Sequence, residues 1–261
     1  MKKDYIIPIF FSLRLIFMPG LLLSAGVGET SVVDITAQEI LARVDMVLEY
    51  PTGIIKGKIM HVTPDGRSNL ITLKGYISEE DYLFKFSTKG RGERLNVLYN
   101  LGGEDIWVYN IYSIKLFNKR GIDKYDPILM TNFYYIDLSN YDFQSNYRAK
   151  IIGEVIVKGY NCYKMKLHPI YKIGKYGLLT IYVSKKDYIP LRIDFHDRDR
   201  VIFKTLAIAK VVMRNGRDIP IRYDMLDINK GTVTILEFYD FIENVKLNKR
   251  IFRHQVLGEA K

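Results

Sequence analysis

Acidic and imidazole side chains are most concentrated between positions 194 and 200 of this 261-residue chain. The run Asp194-Phe195-His196-Asp197-Arg198-Asp199-Arg200 brings three carboxylates and one imidazole close together in sequence. Oxygen ligands of this kind suit hard cations. However, the two arginines compete with a cation, and Asp-Arg-Asp between two strand-like runs is typical of a hairpin turn. The sequence therefore predicts a solvated hairpin turn at this position and no metal site.

Residues for covalent catalysis show no recognisable spacing. The chain contains no Gly-x-Ser-x-Gly elbow, no phosphate loop ending in Lys-Ser or Lys-Thr, no dinucleotide fingerprint and no His-Glu-x-x-His pair. Because catalytic triads assemble from distant residues, a missing motif does not by itself exclude an enzyme. The prediction is nevertheless a protein without catalytic activity or a cofactor. The four histidines are far apart in sequence: His61, His168, His196 and His254.

Cys162 is the single cysteine of the chain. One thiol cannot form an intramolecular disulfide or a zinc site that is built from several thiolates. The alternating run that contains it, from Asn161 to Leu167, favours a core position for the thiol.

The formal net charge of +10 is compatible with binding to anionic lipid, nucleic acid or another polyanion. Lysines and arginines are, however, spread through nearly every segment and alternate with acidic residues, without a block of like charge. Background composition is therefore the favoured interpretation, and no nucleic-acid partner is predicted.

Aromatic residues are densest around Trp107, Tyr109, Tyr112 and Phe117, followed by a second group at 133–135. Core packing, the lining of an apolar cavity and stacking on single-stranded nucleic acid are three open alternatives, in that order of preference. If a cavity exists, apolar character and position select six candidate lining residues: Trp107, Tyr109, Phe117, Leu129, Met130 and Phe133.

The N-terminal region has the order of a secretory signal peptide. Lys2 and Lys3 precede an apolar stretch that reaches Leu23, and small residues follow up to Gly28. Arg14 and two prolines interrupt the apolar stretch, which disfavours a permanent membrane helix. We expect a signal peptide over 1–28, cleaved between Ala25 and Gly28, and a single domain over 29–261. An uncleaved anchor is the alternative.

One helix and many strands are predicted for the rest of the chain. A capping box at Thr36 and Glu39 starts an amphipathic helix that Pro51-Thr52-Gly53 ends. Short runs rich in branched and aromatic residues then recur with turn signals between them, which predicts meandering antiparallel strands rather than βαβ units. Residues 126–147 are predicted as a helical or irregular crossover. The strands predicted are 57–63, 70–77, 82–87, 94–100, 105–111, 150–157, 162–167, 178–183, 191–195, 203–212, 219–225 and 232–239.

Several segments of the C-terminal half resemble the outer-membrane lipoprotein-sorting family of the LolA and LolB type. They are Lys158-Gly159-Tyr160-Asn161-Cys162-Tyr163-Lys164-Met165, the run 181–193 with Asp187-Tyr188-Ile189-Pro190-Leu191, and the stretches 131–138, 218–225 and 232–238. The resemblance implies a mainly β fold: an unclosed, curved antiparallel sheet, or half-barrel, with a helical lid over an apolar cavity. It also implies a periplasmic protein that binds acyl chains of lipids or lipoproteins and contacts membranes only peripherally.

Three functions stay open at this point. The first is a carrier or sensor for lipid or lipoprotein, which could take its cargo from an inner-membrane transporter. The second is a lipid-processing hydrolase that uses the same hollow, and the third is an envelope scaffold with a fully packed interior.

Overall fold

The computed structural model describes residues 35–139, 142–171 and 174–259. The predicted signal peptide at 1–28 lies outside these residues. Within the described ranges, no helix has the length and apolar character that crossing a membrane requires.

The first described element is α1 (Ala37–Leu48), which begins as the sequence predicts. The Thr36 hydroxyl accepts a hydrogen bond from the Glu39 amide, and the Glu39 carboxylate accepts one from the Thr36 amide at 2.7 Å. Ile40, Leu41 and Val44 are fully buried, because apolar side chains at this spacing share one face of a helix.

Thirteen strands follow, all within one antiparallel sheet. They are β1 (Gly53–Val62), β2 (Ser68–Ser78), β3 (Asp81–Thr88), β4 (Gly92–Asn100), β5 (Asp105–Asn110), β6 (Lys115–Lys119), β7 (Tyr147–Val157), β8 (Tyr160–Pro169), β9 (Leu178–Ser184), β10 (Pro190–His196), β11 (Ile202–Arg214), β12 (Arg217–Asp227) and β13 (Thr232–Glu243). All twelve predicted strands are present, most of them longer at one or both ends than the sequence patterns indicate. β6 is an additional strand that the patterns did not identify.

The order of strands is β6-β5-β4-β3-β2-β1-β13-β12-β11-β10-β9-β8-β7. The first and last strands of the chain therefore pair in the middle of the sheet, with Gly53 opposite Glu243. Among the described residues, the edge strands β6 and β7 do not pair with each other, so the sheet is not closed into a barrel. The prediction of an unclosed antiparallel sheet is confirmed.

The segment between the two edge strands, residues 120–146, is the crossover. It contains 3₁₀ turns at Gly121–Tyr125, Ile128–Met130 and Tyr135–Leu138 and ends in the short helix α2 (Phe143–Asn146). Its buried side chains, among them Ile128, Phe133 and Leu138, join the main hydrophobic core together with α1 and one face of the sheet. The crossover is therefore an irregular segment whose buried side chains form part of the main core.

The cluster at 194–200 forms the predicted hairpin turn between β10 and β11. The Asp197 amide donates to the Val201 carbonyl, and the Asp197 carboxylate accepts from the amides of Asp199 and Val201 at 2.9 Å. Asp194 differs from the prediction of a solvated position, because it is buried. Its carboxylate accepts from Arg192 at 2.7 Å and from Thr205 at 2.9 Å. Cys162 is buried in the core, as predicted.

Candidate ligand cavity

The sheet has two halves, strands β1 to β6 and strands β7 to β13. A cavity of about 890 Å³ lies where the crossover passes between them. On one side it is bounded by the β2–β3 turn and the β4–β5 connection, at Glu80 and 101–104. On the other side it is bounded by the β8–β9 connection and by β9 and β10. The gap in the unclosed sheet thus provides a hollow that the crossover only partly occupies.

Aromatic and aliphatic side chains form the deep wall of this cavity. The Tyr176 ring lies 4.6 Å from the Phe195 ring and 5.0 Å from the Tyr125 ring, measured between centroids. Phe143 packs on Tyr147 at 5.8 Å. Walls of this composition bind apolar ligands, because contact with them removes apolar surface from water. The apolar and aromatic residues of the deep wall are Tyr125, Phe143, Tyr147, Tyr176, Leu179 and Phe195.

An ionic cluster includes two residues that line the cavity, Asp137 and Tyr176. The Lys204 ammonium donates to the Asp137 carboxylate at 2.7 Å and to the Tyr176 hydroxyl at 2.5 Å, and the Tyr176 hydroxyl donates to Asp137 at 2.5 Å. The Lys204 and Asp137 side chains are each 1% exposed. Burial lowers the pKa of Lys204, and the neighbouring Asp137 carboxylate opposes this shift. The pair joins the crossover, which carries Asp137, to strand β11, which carries Lys204.

Other polar groups of the wall also have partners within the protein. The Lys124 ammonium donates to the carbonyls of Gly103 at 3.0 Å and Glu104 at 2.6 Å, and burial lowers its pKa. The Ser139 hydroxyl donates to the Ile136 carbonyl, and the Asp142 carboxylate accepts from the Ser145 amide. The lining of the cavity is therefore mixed, with hydrogen-bonded polar groups beside the aromatic and aliphatic side chains.

The mouth of the cavity is more polar than its interior. Glu80 and Glu104 are exposed there, beside the exposed side chains of Leu101 and Tyr171. Histidine and cysteine are absent from the described lining residues.

Helix α1 holds one wall of the cavity in place. The Asp45 carboxylate accepts hydrogen bonds from the amides of Phe143 and Gln144, each at 2.9 Å, at the start of α2. Burial raises the pKa of Asp45 to about 6, and the nearby Asp142 carboxylate adds to the shift, while the two amide hydrogen bonds oppose it. The Gln38 side chain binds the carbonyls of Gln144 and Tyr147 and the amide of Ala149.

The six candidate lining residues from the sequence lie outside this cavity. Trp107 and Tyr109 belong to a second apolar cluster on the opposite face of the sheet, and Phe117 is 43% exposed on edge strand β6. Phe133 and Leu129 pack in the main core, whereas Met130 is 86% exposed. The structure thus brings only some of the six together. A ligand-binding role for them stays a prediction.

Three lining residues are not among the six that the sequence selects: Tyr176, Phe195 and Tyr147. The predicted crossover does, however, end at Tyr147. Tyr176 follows Gly174 and Lys175 in the connection between two strands, where a single aromatic residue has no period to mark it. Phe195 ends the predicted strand 191–195, and it also belongs to the run 194–200, whose acidic residues favour a turn.

The comparison with solved structures found chains of similar fold, among them the following three. An outer-membrane lipoprotein-sorting protein domain from Vibrio parahaemolyticus matches with a TM-score of 0.75 and 20% identity, covering 85% of this chain and 98% of that one. A DUF1329 family protein from Desulfovibrio piger matches with a TM-score of 0.73 and 18% identity, covering 85% and 97%. A LolA superfamily protein from Nitrosomonas europaea matches with a TM-score of 0.70 and 19% identity, covering 84% and 98%.

At these identities the likeness shows a shared fold, which agrees with the resemblance found in the sequence. The comparison with curated protein sequences gave no match. A family model with the description "uncharacterized protein" matches residues 78–259, which is more than half of the chain. The chain therefore belongs to that family of uncharacterized proteins. Its fold is similar to those of the lipoprotein-sorting protein domain and of the LolA superfamily protein.

Proposed function

We propose that this protein is a periplasmic carrier for the acyl chains of a lipid or lipoprotein, acting in lipoprotein sorting or lipid transport. The fold supports a carrier, because it is shared with a lipoprotein-sorting domain and a LolA superfamily protein. The periplasmic location rests on the signal peptide predicted from residues 1–28.

The observation that carries the proposal is the cavity at the open edge of the sheet. Its volume of about 890 Å³ lies within the range of small-molecule binding sites. Each buried methylene contributes about 0.8 kcal/mol, so an acyl chain that buries about ten methylenes gains about 8 kcal/mol before its ordering cost. That gross energy corresponds to a dissociation constant near the micromolar range without any catalytic group.

The placement of polar groups suits an amphiphile. The aromatic side chains of Tyr176 and Phe195 would contact the acyl chain. The exposed Glu80 and Glu104 lie at the mouth, where a polar headgroup would meet water. Burying an unpaired polar group costs free energy, which favours this orientation over the reverse.

The test is native mass spectrometry of the chain expressed with its own N-terminal segment, followed by organic extraction and identification of bound lipid. We expect a stoichiometric adduct that contains an acyl chain. Ser145→Trp should abolish the adduct, because Ser145 is an exposed residue of α2 that lines the cavity and a bulky ring there occupies the hollow.

Ser113→Trp is the matched control, since Ser113 is exposed in the β5–β6 turn and does not line the cavity. This variant should keep the adduct. An apo mass that does not change after incubation with lipids and lipopeptides would overturn the proposal. It would favour the envelope scaffold, which has one observation on its side: the buried side chains of the crossover form part of the main core.

A further inference from the structure

The C-terminal segment 247–257 is anchored to the face of the sheet opposite the main core. Phe252 and Leu257 pack on Leu83 and Leu98 there. The Asn96 side chain donates to the Leu257 carbonyl, and the Asn100 side chain donates to the Phe252 carbonyl, both at 3.1 Å. This segment therefore has a fixed position on the sheet.

Two successive 3₁₀ turns, Lys249–Phe252 and His254–Val256, set the direction of its side chains. Arg250 lies in the first turn, and Arg253 joins the two turns with an extended backbone. The Asn248 side chain caps the first turn by accepting from the Arg250 amide at 2.9 Å. The His254 ring stacks on Trp107 at 4.1 Å, which holds the second turn against β5.

A surface depression that is widely open to solvent lies on this segment, lined by Arg250, Arg253, Gln255 and Val256. None of these described lining residues is acidic. Arg250 pairs with Glu259 at 3.1 Å, but both side chains are about two-thirds exposed, so the pair is weak and leaves other guanidinium donors available. Guanidinium groups bind phosphate with parallel hydrogen bonds.

We propose that Arg250 and Arg253 form a binding site for the phosphate of an anionic lipid headgroup at a membrane surface. The exposure of both arginines suits an extended anionic surface better than an enclosed free anion, for which buried donors would be expected. Lys246 and Lys249 are exposed beside them, and positions 244–258 contain no acidic residue. Each basic residue near an anionic bilayer contributes about 1 kcal/mol.

The position of this site relative to the cavity adds a reason for membrane docking. Asn100, which holds Phe252, directly precedes Leu101 at the cavity mouth. The C-terminal segment and the cavity mouth are therefore linked through the neighbouring residues Asn100 and Leu101, where β4 ends. The site itself rests on the arginines and the surface depression, and it does not depend on what the cavity binds.

The experiment measures co-sedimentation of the full chain with vesicles of phosphatidylcholine mixed with phosphatidylglycerol, and with vesicles of phosphatidylcholine alone. We expect binding to the mixed vesicles only. R250Q/R253Q should weaken this binding about 30-fold, the factor that corresponds to about 2 kcal/mol. The double variant R198Q/K186Q removes the same charge at two exposed positions on the other half of the sheet and should bind nearly as the parent does.

Three results would overturn the proposal. Equal weakening in both double variants would show that net charge alone attracts the chain to the vesicles. Displacement from the mixed vesicles by millimolar inorganic phosphate would assign the site to a free anion, and tighter binding to single-stranded RNA than to vesicles would assign it to nucleic acid. Acyl adducts measured on R250Q/R253Q should stay unchanged, which keeps this test separate from that of the cavity.

Discussion

At the residue scale, Lys204 is a buried cation on the concave face of a β-sheet. Besides Asp137 and Tyr176, its ammonium lies 3.7 Å from the centroid of the Tyr134 ring. A buried charge is costly when its partner is removed, because the remaining charge has neither water nor a counter-ion. Lys204 therefore determines where the crossover can lie against the sheet.

Lys204→Met should lower the free energy of unfolding by about 3 to 5 kcal/mol, because it leaves the Asp137 carboxylate without its cation. Lys210→Met, at an exposed position of the same strand, should change it by less than about 0.5 kcal/mol. Urea unfolding of both variants checks this. Similar losses in the two would contradict the role of the ion pair.

Asp45 makes the free energy of unfolding depend on pH. This contribution can be measured separately from the contributions of other groups. Its pKa is raised to about 6 from the ordinary aspartate value of 3.8, so the folded state binds this proton more tightly than the unfolded state. The contribution of Asp45 to the free energy of unfolding is fully present below about pH 4, and it is lost as the pH rises through about 6.

Asp45→Asn should therefore remove a decrease in unfolding free energy between about pH 4 and pH 7, at most about 3 kcal/mol at 1.36 kcal/mol per pKa unit. The measurement is the difference in unfolding free energy between parent and variant across this range. Asp199→Asn, at an exposed position of the β10–β11 turn, is the control and should leave the pH profile unchanged. A D45N profile parallel to that of the parent would show that Asp45 does not titrate in this range.

At the scale of elements, α1 and α2 depend on each other. A helix of four residues is not stable alone, because nucleation fixes several residues for few hydrogen bonds. The Asp45 carboxylate and the Gln38 side chain of α1 supply the partners that the start and the end of α2 lack.

Gln38→Ala should loosen the end of α2 and the start of β7, since it removes hydrogen bonds of 3.0 to 3.1 Å to Gln144, Tyr147 and Ala149. Amide hydrogen exchange at 142–149 should become faster, while exchange in β12 should not change. Gln144→Ala, an exposed glutamine on the other side of the same junction, is the control and should have little effect. Faster exchange spread evenly over the sheet would indicate general destabilisation instead.

At the scale of the whole molecule, two connections couple the halves of the sheet. Strand β1 pairs with β13, which lies nearly two hundred residues later in the chain, and the crossover links the edge strands β6 and β7. Asn132 of the crossover donates to the carbonyls of Met225 and Thr232 in β12 and β13, at 3.0 and 2.8 Å. Neither half can bury its concave face without the other.

We therefore expect the two halves to unfold in one transition. Trp107 in β5 reports on one half, and a variant that carries W107F with Tyr182→Trp in β9 reports on the other. Urea midpoints from the two fluorescence signals, each compared with circular dichroism of the same variant, should coincide. Separate midpoints within one variant would show that the halves are independent units.

Local sequence signals predict most of the helices and strands of this protein. The capping box at Thr36 and Glu39 fixes the start of α1 through local hydrogen bonds, and alternation with turn residues marks twelve of the thirteen strands. Such signals are local, because capping and side-chain alternation involve residues that are neighbours in the chain. The segments that resemble the lipoprotein-sorting family then indicated that the sheet is unclosed.

The position of the cavity and the identity of its lining residues depend on the tertiary structure. Tyr176, Phe195 and Asp137 come from three separate segments, and they meet because the crossover runs across the gap between the edges of the sheet. Trp107 is as aromatic as Phe195, yet it packs on His254 on the opposite face. The amino-acid sequence shows that a side chain is apolar. The face of the sheet on which that side chain lies depends on strand register and on pairing between residues far apart in the sequence.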